Sequence, residues 1–436
     1  MRRKSRRLDL VALALASLLT SLAHANGRPP ETNGVYFQPT DPDALYVRAT
    51  FGLLISRDDG CSFRWVCEQS IGYGGTFDPT YALGRDGAVF ATTFAGLRVS
   101  RDGGCSFTTA TAELPAGAPG RIADIWVDAL DVGPTGEVWA ATAESGRIND
   151  VYRSTDGGVT FASAGRASPD IWWKSLRVAP SDAMHVYVTG YQVTPTPSPH
   201  LVATTDGGQT WTPAPLTGVA VATTPVIRMV AIDPANPAHV YVVSLDVDGP
   251  GADRLYRSTD AAATFTEVLR TSSPVANVVV SGTTVLVASG RGGTFRSDDG
   301  GASFAQVTTP RLGCLGQRPD GTLFGCGPNW DPDFMAVARS ETGGAWQKIF
   351  RFVELAGPLA CPAGTPGHDV CEPMWPAIKA QFGATGPTCA SATDLGVDTV
   401  AEPPTPGGCC DAGDGAPLGL GLLTLVTAGW LRRRRR

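Results

Sequence analysis

Charged side chains are scarce in this chain of 436 residues, at 17%, and arginine supplies nearly all of the positive charge. Residues 1–25 carry a net charge of +4, and Arg432 to Arg436 add +5. Without these two ends the formal charge of −6 becomes −15. Because nucleic-acid phosphates require a basic surface, this acidic body argues against a nucleic-acid partner.

Motifs for metal binding and covalent catalysis are also missing. The ten cysteines contain no paired CxxC motifs and form no cluster with histidine, which argues against a zinc site. The five histidines include no pair at ligand spacing. There is no Gly-x-Ser-x-Gly nucleophile motif and no glycine-rich phosphate loop. We therefore predict no metal, no cofactor and no assignable catalytic residue.

The N-terminus is typical of a secretory signal peptide over residues 1–25. Five basic residues between Arg2 and Arg7 precede the apolar run Leu10 to Leu22, and Ala23-His24-Ala25 offers small residues for cleavage. A buried N-terminal helix is the alternative. High contents of glycine (52) and proline (34) favour a turn-rich β-protein, as expected of a secreted or cell-surface chain.

One octamer recurs along the chain, with the pattern Ser/Thr-x-Asp-x-Gly-x-Ser/Thr-aromatic. It runs, for example, from Ser154 to Phe161, and a copy from Ser258 to Phe265 has Ala262 in place of the glycine. A seventh candidate, Ser340 to Trp346, lacks the aspartate and is one residue short. The aspartates of the six copies are Asp58, Asp102, Asp156, Asp206, Asp260 and Asp299.

The spacing of these octamers predicts the architecture. Successive aspartates are 44, 54, 50, 54 and 39 residues apart, and the seventh candidate follows after 43. A period of about 40–55 residues with short strands indicates four-stranded propeller blades. We predict an all-β fold, a seven-bladed β-propeller over residues 34–355. Six or eight blades remain open because the last repeat is degenerate.

The octamer itself is predicted to be the turn between the third and fourth strands of each blade. Its aspartate and hydroxyl side chains can bond backbone N–H groups, and its glycine accepts a positive φ. The final aromatic residue is expected to pack between blades. The pattern resembles the Asp-box, or BNR repeat, of propellers in sialidases, sortilin-type receptors, xyloglucan-cleaving hydrolases and photosystem assembly factors. That resemblance implies the fold, with the box as a structural element on its periphery.

The pattern changes after about residue 356. Residues 356–390 form a small cysteine-bearing segment, in which Trp375 to Phe382 predicts a short helix ending at Gly383. We expect this segment to pack on the ring, held by disulfides. Residues 391–408 contain Pro403, Pro404 and Pro406 and are typical of a linker.

Residues 409–436 combine a cysteine pair, an apolar segment and a terminal arginine cluster. Cys409 and Cys410 precede Ala416 to Leu431, which is near the lower length limit for a transmembrane helix. The combination resembles the MYXO-CTERM tail of surface and secreted proteins of myxobacteria. The resemblance implies that Cys409 or Cys410 is where the tail is processed or modified. A simple membrane anchor is the alternative.

Eight cysteines precede the tail, as expected of a disulfide-bonded exported protein. Cys314 and Cys326 flank a turn and can face each other across a hairpin. Cys61 and Cys105 occupy the same place in the first two repeats and are candidates to join neighbouring blades. Cys61 and Cys67 are poor partners, because extended residues separate them by about 20 Å.

Loops between the second and third strands are expected to open on the face opposite the octamers. They are long in blades three to five, at Glu144 to Asp150, Gln192 to Pro199 and Asp246 to Asp253. Aromatic residues predicted near this face can stack on sugars or anchor a partner, or else pack the loops on the ring. They are Tyr73, Trp172, Trp173 and Tyr191.

Charged residues near the axis suggest two further kinds of site. Arg177 and Arg228 occupy equivalent first-strand positions, so they are candidates for an arginine pair near the axis. A structural role is an equally good explanation of a residue that recurs in the repeat. Asp124, Asp128 and Asp170 are available to a two-carboxylate hydrolase, which needs acids about 5–10 Å apart.

The acidic loop Asp246 to Asp253 is a weaker candidate for calcium, since it lacks the spacing of an EF-hand. The alternative is that these residues form an ordinary solvated acidic loop without a bound ion.

These observations support two functional hypotheses. The first is an exported, non-catalytic binding or scaffold protein for a glycan or protein at the cell surface, attached to the membrane through its C-terminal helix. The second is a glycoside hydrolase, sialidase-like or xyloglucanase-like. The early Arg-Ile-Pro signature expected of a sialidase is absent.

Overall fold

The computed structural model describes residues 29–307 and 310–388. Within these residues the chain forms seven antiparallel sheets of four strands each, one of which gains a short fifth strand. This arrangement confirms the predicted seven-bladed all-β propeller. The predicted signal peptide, linker and tail, including Cys409 and Cys410, lie outside the described residues.

The first three blades follow the chain from the N-terminus. Blade 1 contains β1 (Thr32–Gln38), β2 (Asp41–Ala49), β3 (Gly52–Ser56) and β4 (Arg64–Val66). Blade 2 contains β5 (Tyr81–Leu83), β6 (Val89–Thr93), β7 (Gly96–Ser100) and β8 (Thr108–Thr109). Blade 3 contains β9 (Val127–Val132), β10 (Val138–Thr142), β11 (Val151–Ser154) and β12 (Ala162–Ser163).

The remaining four blades repeat the arrangement. Blade 4 contains β13 (Ile171–Ala179), β14 (Asp182–Gln192), β15 (Ser198–Thr204) and β16 (Thr212–Pro213). Blade 5 contains β17 (Ile227–Asp233), β18 (Asn236–Ser244), β19 (Arg254–Ser258) and β20 (Thr266–Arg270). Blade 6 contains β21 (Asn277–Ser281), β22 (Thr284–Ala288), β23 (Thr294–Ser297) and β24 (Ala305–Val307). Blade 7 contains β25 (Cys314–Gln317), β26 (Leu323–Cys326), β27 (Val337–Ser340) and β28 (Gln347–Phe350).

The first strands of the seven blades form the inner wall of the ring. Each contacts the first strand of the next blade, and β25 contacts β1, so the ring is closed. Side chains reinforce this last junction. Thr32 donates a hydrogen bond to the carbonyl of Ala336 at 2.6 Å, and Arg318 pairs with Asp59 at 2.6 Å.

Each third strand that leads into a complete octamer ends on its first residue, so the octamer is the turn to the fourth strand, as predicted. Strand β11, for example, ends at Ser154. The Ser154 hydroxyl donates to Asp156 at 2.7 Å and accepts the N–H of Gly158 at 2.8 Å. The other Asp156 oxygen accepts the Thr160 hydroxyl at 2.5 Å. The same bonds recur in all six boxes, with Ala262 supplying the N–H in blade 5.

The glycine of each box is also where neighbouring blades meet. A Cβ atom at Gly158 would lie 2.5 Å from Phe90 of blade 2, and one at Gly208 would lie 2.8 Å from Trp139 of blade 3. These glycines therefore provide both a positive φ and a close approach between blades. At Ala262 (φ 67°) the methyl group is buried in the same apolar cluster as Tyr187 of blade 4, so this junction has room for it.

A second set of contacts crosses the same junctions. The carbonyl of the residue before the box glycine, or of Thr342 in the degenerate seventh turn, accepts a hydrogen bond from the preceding blade. The donors are arginines at four junctions and a tyrosine at a fifth: Arg57 to Gly103, Arg101 to Gly157, Arg153 to Gly207, Tyr241 to Gly300 and Arg296 to Thr342. These four arginines therefore stabilise contacts between neighbouring blades.

The C-terminal segment extends from blade 7 back over blades 1 and 2. Strand β29 (Gly357–Pro358) pairs in parallel with β4, and the helix Glu372–Phe382 ends at Gly383 as predicted. Two disulfides fasten the segment, Cys67–Cys371 and Cys105–Cys361, with sequence separations of 304 and 256.

The disulfides confirm one predicted pairing and correct another. Cys314 and Cys326 are directly paired across the hairpin and are bonded, as predicted. The proposed link between Cys61 and Cys105 is wrong, because Cys105 bonds Cys361 instead. Repeat equivalence places those two cysteines one blade apart, whereas the partner of Cys105 comes from a segment that has no place in the repeat.

No helix within residues 29–307 and 310–388 combines the length and apolar character needed to cross a membrane. The predicted membrane segment, Ala416 to Leu431, falls outside these residues and stays a prediction.

Two substitutions in one box separate backbone strain from packing between blades. Gly157 and Gly158 both have positive φ, at 70° and 79°. A Cβ at Gly157 meets nothing closer than 3.6 Å, whereas one at Gly158 meets Phe90 at 2.5 Å. We expect Gly158→Ala to lower the free energy of unfolding by about 1–3 kcal/mol more than Gly157→Ala, because only the former overpacks the junction. Urea denaturation measures the difference, and equal losses would contradict this role.

The boxes also predict a dependence of stability on acid. Burial alone would raise the pKa of Asp156, but hydrogen bonds from Thr160 and Ser154 lower this pKa to about 2, below its ordinary 3.8. A carboxyl whose pKa is lower in the folded state stabilises the fold above the unfolded pKa, and this stabilisation disappears as the pH falls towards the folded value. We therefore expect the free energy of unfolding of wild type to exceed that of Asp156→Asn by about 1 kcal/mol at pH 6. This difference should disappear between pH 4 and pH 2.

Urea denaturation at each pH tests this expectation. Asp170→Asn is the matched control, since Asp170 is an exposed carboxylate outside the boxes. The box is not the origin of the effect if the stability difference between wild type and Asp156→Asn is unchanged down to pH 2. The same conclusion follows if Asp170→Asn shows an equal difference.

Candidate ligand-binding face

Antiparallel strand order gives the propeller two different faces. The turns between first and second strands and the Asp-boxes share one, which we call the box face. The turns between second and third strands and the linkers between blades share the other, which we call the loop face. The long loops of blades 3, 4 and 5 lie on the loop face, as predicted.

An aromatic cluster stands on the loop face beside the axis. Phe94, in the turn between β6 and β7, has its ring centre 4.5 Å from Phe77 and 4.9 Å from Trp126. Phe77 and Trp126 belong to the linkers that enter blades 2 and 3. Phe94 is 54% exposed, so the cluster offers an open apolar surface.

A polar channel continues from this cluster along the axis. Its cavity of about 150 Å³ is lined by residues that include Asp128, Lys174, Arg177, Arg228 and Asn277. The Lys174 ammonium lies 2.5 Å from Asp128 and 5.5 Å from the centre of the Trp126 ring, so it joins the channel to the aromatic cluster.

Arg177 and Arg228 both line this cavity, and each donates a hydrogen bond to a backbone carbonyl. Arg177 donates to the carbonyl of Leu176 at 3.0 Å, and Arg228 donates to that of Val275. Burial lowers the pKa of Arg228, and the nearby Arg177 adds to that effect while Asp253 opposes it. Burial raises the pKa of Asp128, although the Lys174 ammonium opposes the rise.

The predicted aromatic residues separate into two groups. Trp172 and Tyr191 are paired across β13 and β14 in an edge-to-face contact at 5.6 Å, and both are half-buried at the loop-face end of blade 4. Trp173 is fully buried in the core between blades 3 and 4. Tyr73 packs against the core between blades 1 and 2, where burial raises the pKa of its hydroxyl.

The three carboxylates considered for hydrolysis have different surroundings. Asp124 pairs with Arg121, Asp128 pairs with Lys174, and Asp170 is an exposed residue in the linker before blade 4. The loop considered for calcium has its acids engaged within the protein. Asp248 pairs with Arg254 at 2.5 Å, and Asp253 accepts backbone N–H groups.

Sequence reasoning missed Phe77, Phe94 and Lys174, which form much of this site. The signal for Phe94 was present, since it occupies a two-residue turn between two buried strands and has no core position to fill. Phe77 and Lys174 carry no comparable signal, because their relevance depends on which linkers and strands meet at the axis.

Comparisons with known proteins show similarity of shape at low sequence identity. No family model and no curated protein matches the chain. Among solved structures it resembles a GH74 enzyme from Niastella koreensis, at 15% identity and a TM-score of 0.43, covering 73% of this chain and 65% of that one.

Two further solved structures show likeness at a similar level. YCF48 from Cyanidioschyzon merolae has 16% identity and a TM-score of 0.46, over 68% of this chain and 94% of that one. PorZ, a surface component of the type-IX secretion system of Porphyromonas gingivalis, has 16% identity and a TM-score of 0.48, over 71% of this chain and 46% of that one. The chain thus spans less than two thirds of the GH74 enzyme and under half of PorZ.

Proposed function

We propose that this protein is an exported, non-catalytic binding or scaffold module that holds a glycan or protein ligand on its loop face. The observation that carries the proposal is the uneven distribution of exposed apolar side chains. Of nine large ones among the described residues, six lie on the loop face: Phe94, Ile148, Val193, Val221, Trp330 and Phe334. Apolar side chains concentrated on one face mark an interaction surface.

The chemistry of that surface favours a polypeptide over a glycan. Ile148, Val193 and Val221 are aliphatic, and Phe94 has no hydroxyl with which to bond a sugar. The cations Lys174, Arg177 and Arg228 line the channel beside the cluster and suit an acidic group on the ligand. Because the body of the chain is acidic, this local positive charge would also orient an approaching partner.

A matched pair of substitutions tests which face binds. Phe94→Ala removes the exposed ring of the loop-face cluster, and Val159→Ala removes an exposed apolar side chain of the box face, 56% exposed. On an array of glycans and surface proteins, we expect Phe94→Ala to weaken binding to any captured ligand at least tenfold, about 1.4 kcal/mol, because an anchor in such a cluster carries much of the affinity. We expect Val159→Ala to change nothing. Equal effects of the two substitutions would contradict a loop-face site.

Glycoside hydrolysis is the second candidate, and one observation favours it. The partly buried Asp128 has a raised pKa and lies in the channel beside the aromatic cluster, as a general acid would. The same array preparation can be assayed on fluorogenic glycosides. Sugar release that is abolished in Asp128→Asn would replace the binding proposal with the hydrolase.

We also propose that the protein is exported by residues 1–25 and reaches the cell surface through residues 409–436. The support is the signal-like N-terminus and the combination of Cys409 and Cys410 with an apolar segment and terminal arginines. We expect mass spectrometry of the surface fraction to find the chain without residues 1–25 and with its tail cleaved or modified at the cysteine pair.

Changing both tail cysteines to alanine should leave the tail unmodified. Substituting Cys314 and Cys326 instead is the control, since that pair forms a disulfide within blade 7. An unmodified tail in the wild-type surface fraction would favour a simple membrane anchor.

A further inference from the structure

A second cavity lies on the axis at the opposite, box face. It measures about 380 Å³ and is formed where the first strands of blades 3, 4 and 5 end and turn. We call it the box-face cup. Its volume falls in the range of about 300–1,000 Å³ that is typical of small-molecule sites.

The wall of the cup is apolar and rigid. Pro39, Pro134 and Pro180 come from the turns between first and second strands of blades 1, 3 and 4, and Val178 and Ile232 complete the wall. Proline fixes its own φ and has no backbone N–H. These three residues therefore hold a preformed surface that offers a ligand apolar contact but no hydrogen-bond donor.

Two guanidinium groups supply donors instead. Arg177 lines both the cup and the axial channel, so it lies between them. Arg85 lines the cup from blade 2, where it donates to the carbonyl of Pro134 at 3.0 Å. Each guanidinium carries five N–H groups, and neither forms an ion pair with a carboxylate among the described residues.

The acidic group of the cup is already engaged. Asp131 accepts the backbone N–H of Val132 at 3.0 Å and that of Val178 at 2.9 Å. Burial raises its pKa, although Arg177 opposes the rise, and Glu137 adds to it. Unused donors thus outnumber unused acceptors here.

We propose that the box-face cup binds a small organic anion, a carboxylate on an apolar body, with the carboxylate on Arg85 and Arg177 and the body against the proline wall. This shape of site explains why the two kinds of lining residue occur together. An apolar ligand alone would leave the arginines unused, and an inorganic anion would leave the wall unused. The cup shares Arg177 with the channel beside the loop-face surface, but Arg85 lines only the cup and Lys174 only the channel, so substitutions of these two residues distinguish the two proposals.

Calorimetric titration of the full chain with benzoate tests this proposal, with benzamide as the neutral isostere and acetate as the anion without a body. We expect saturable binding of benzoate and an increase in Tm, with binding of benzamide and acetate at least tenfold weaker. Arg85→Gln and Arg177→Gln should each weaken the binding of benzoate at least tenfold. Arg85 is exposed, so its substitution is not expected to disturb folding.

Two control variants locate the site. Arg270→Gln changes a largely exposed arginine of blade 5, and Lys174→Met changes the cation of the loop-face channel. Both should bind benzoate as wild type does. The proposal is overturned if benzoate does not bind saturably, if benzamide binds equally well, or if Lys174→Met abolishes binding while Arg85→Gln retains it.

Discussion

The close contact between each Asp-box and the preceding blade is the constraint on which this ring depends. A blade alone has two open edges and too small a core to be stable. In the propeller, the box glycine lets one blade approach the second strand of its neighbour, as Gly158 approaches Phe90. The aspartate and serine side chains hold that turn in shape, and arginines such as Arg101 bond across the junction. The repeated octamer therefore joins blades as much as it turns a chain.

Closure of the ring uses different means from its propagation. The four antiparallel strands of blade 1 come from N-terminal residues, and the short strand β29 from the C-terminal segment adds a parallel fifth strand at its outer edge. Arg318 and Arg339 both reach Asp59 at this junction. The C-terminal segment then crosses blades 1 and 2 and is bonded to them through Cys371 and Cys361. Covalent bonds thus reinforce the region where the repeat begins and ends.

The same architecture separates the two faces chemically. On the box face, short turns and ion pairs leave little apolar surface apart from the cup on the axis. On the loop face, the loops differ in length from blade to blade and carry no repeated octamer, and they present Phe94 and Ile148 to solvent. A binding surface on the loop face and a small-molecule cup on the box face can therefore coexist, with Arg177 between them.

The residues of the loop-face site were only partly predictable from the sequence, because adjacent strand residues have different surroundings in the fold. Trp172 and Trp173 are adjacent in sequence and were predicted together, yet successive strand residues point to opposite sides. One therefore pairs with Tyr191 near the loop face and the other is fully buried. Arg177 and Arg228, which occupy equivalent first-strand positions, line one cavity because the first strands of all blades form the inner wall.

The sequence by itself determined the blade: its period, its turn chemistry, and the pairing of Cys314 with Cys326. These depend on residues close together in the chain, where spacing and local hydrogen bonding decide the structure. Tertiary structure alone decided that Phe77, Phe94 and Trp126 form one cluster and that Cys105 bonds Cys361. The aromatic cluster requires blades 2 and 3 to pack side by side, and the disulfide joins residues 256 apart in the chain, which meet only when the ring is closed.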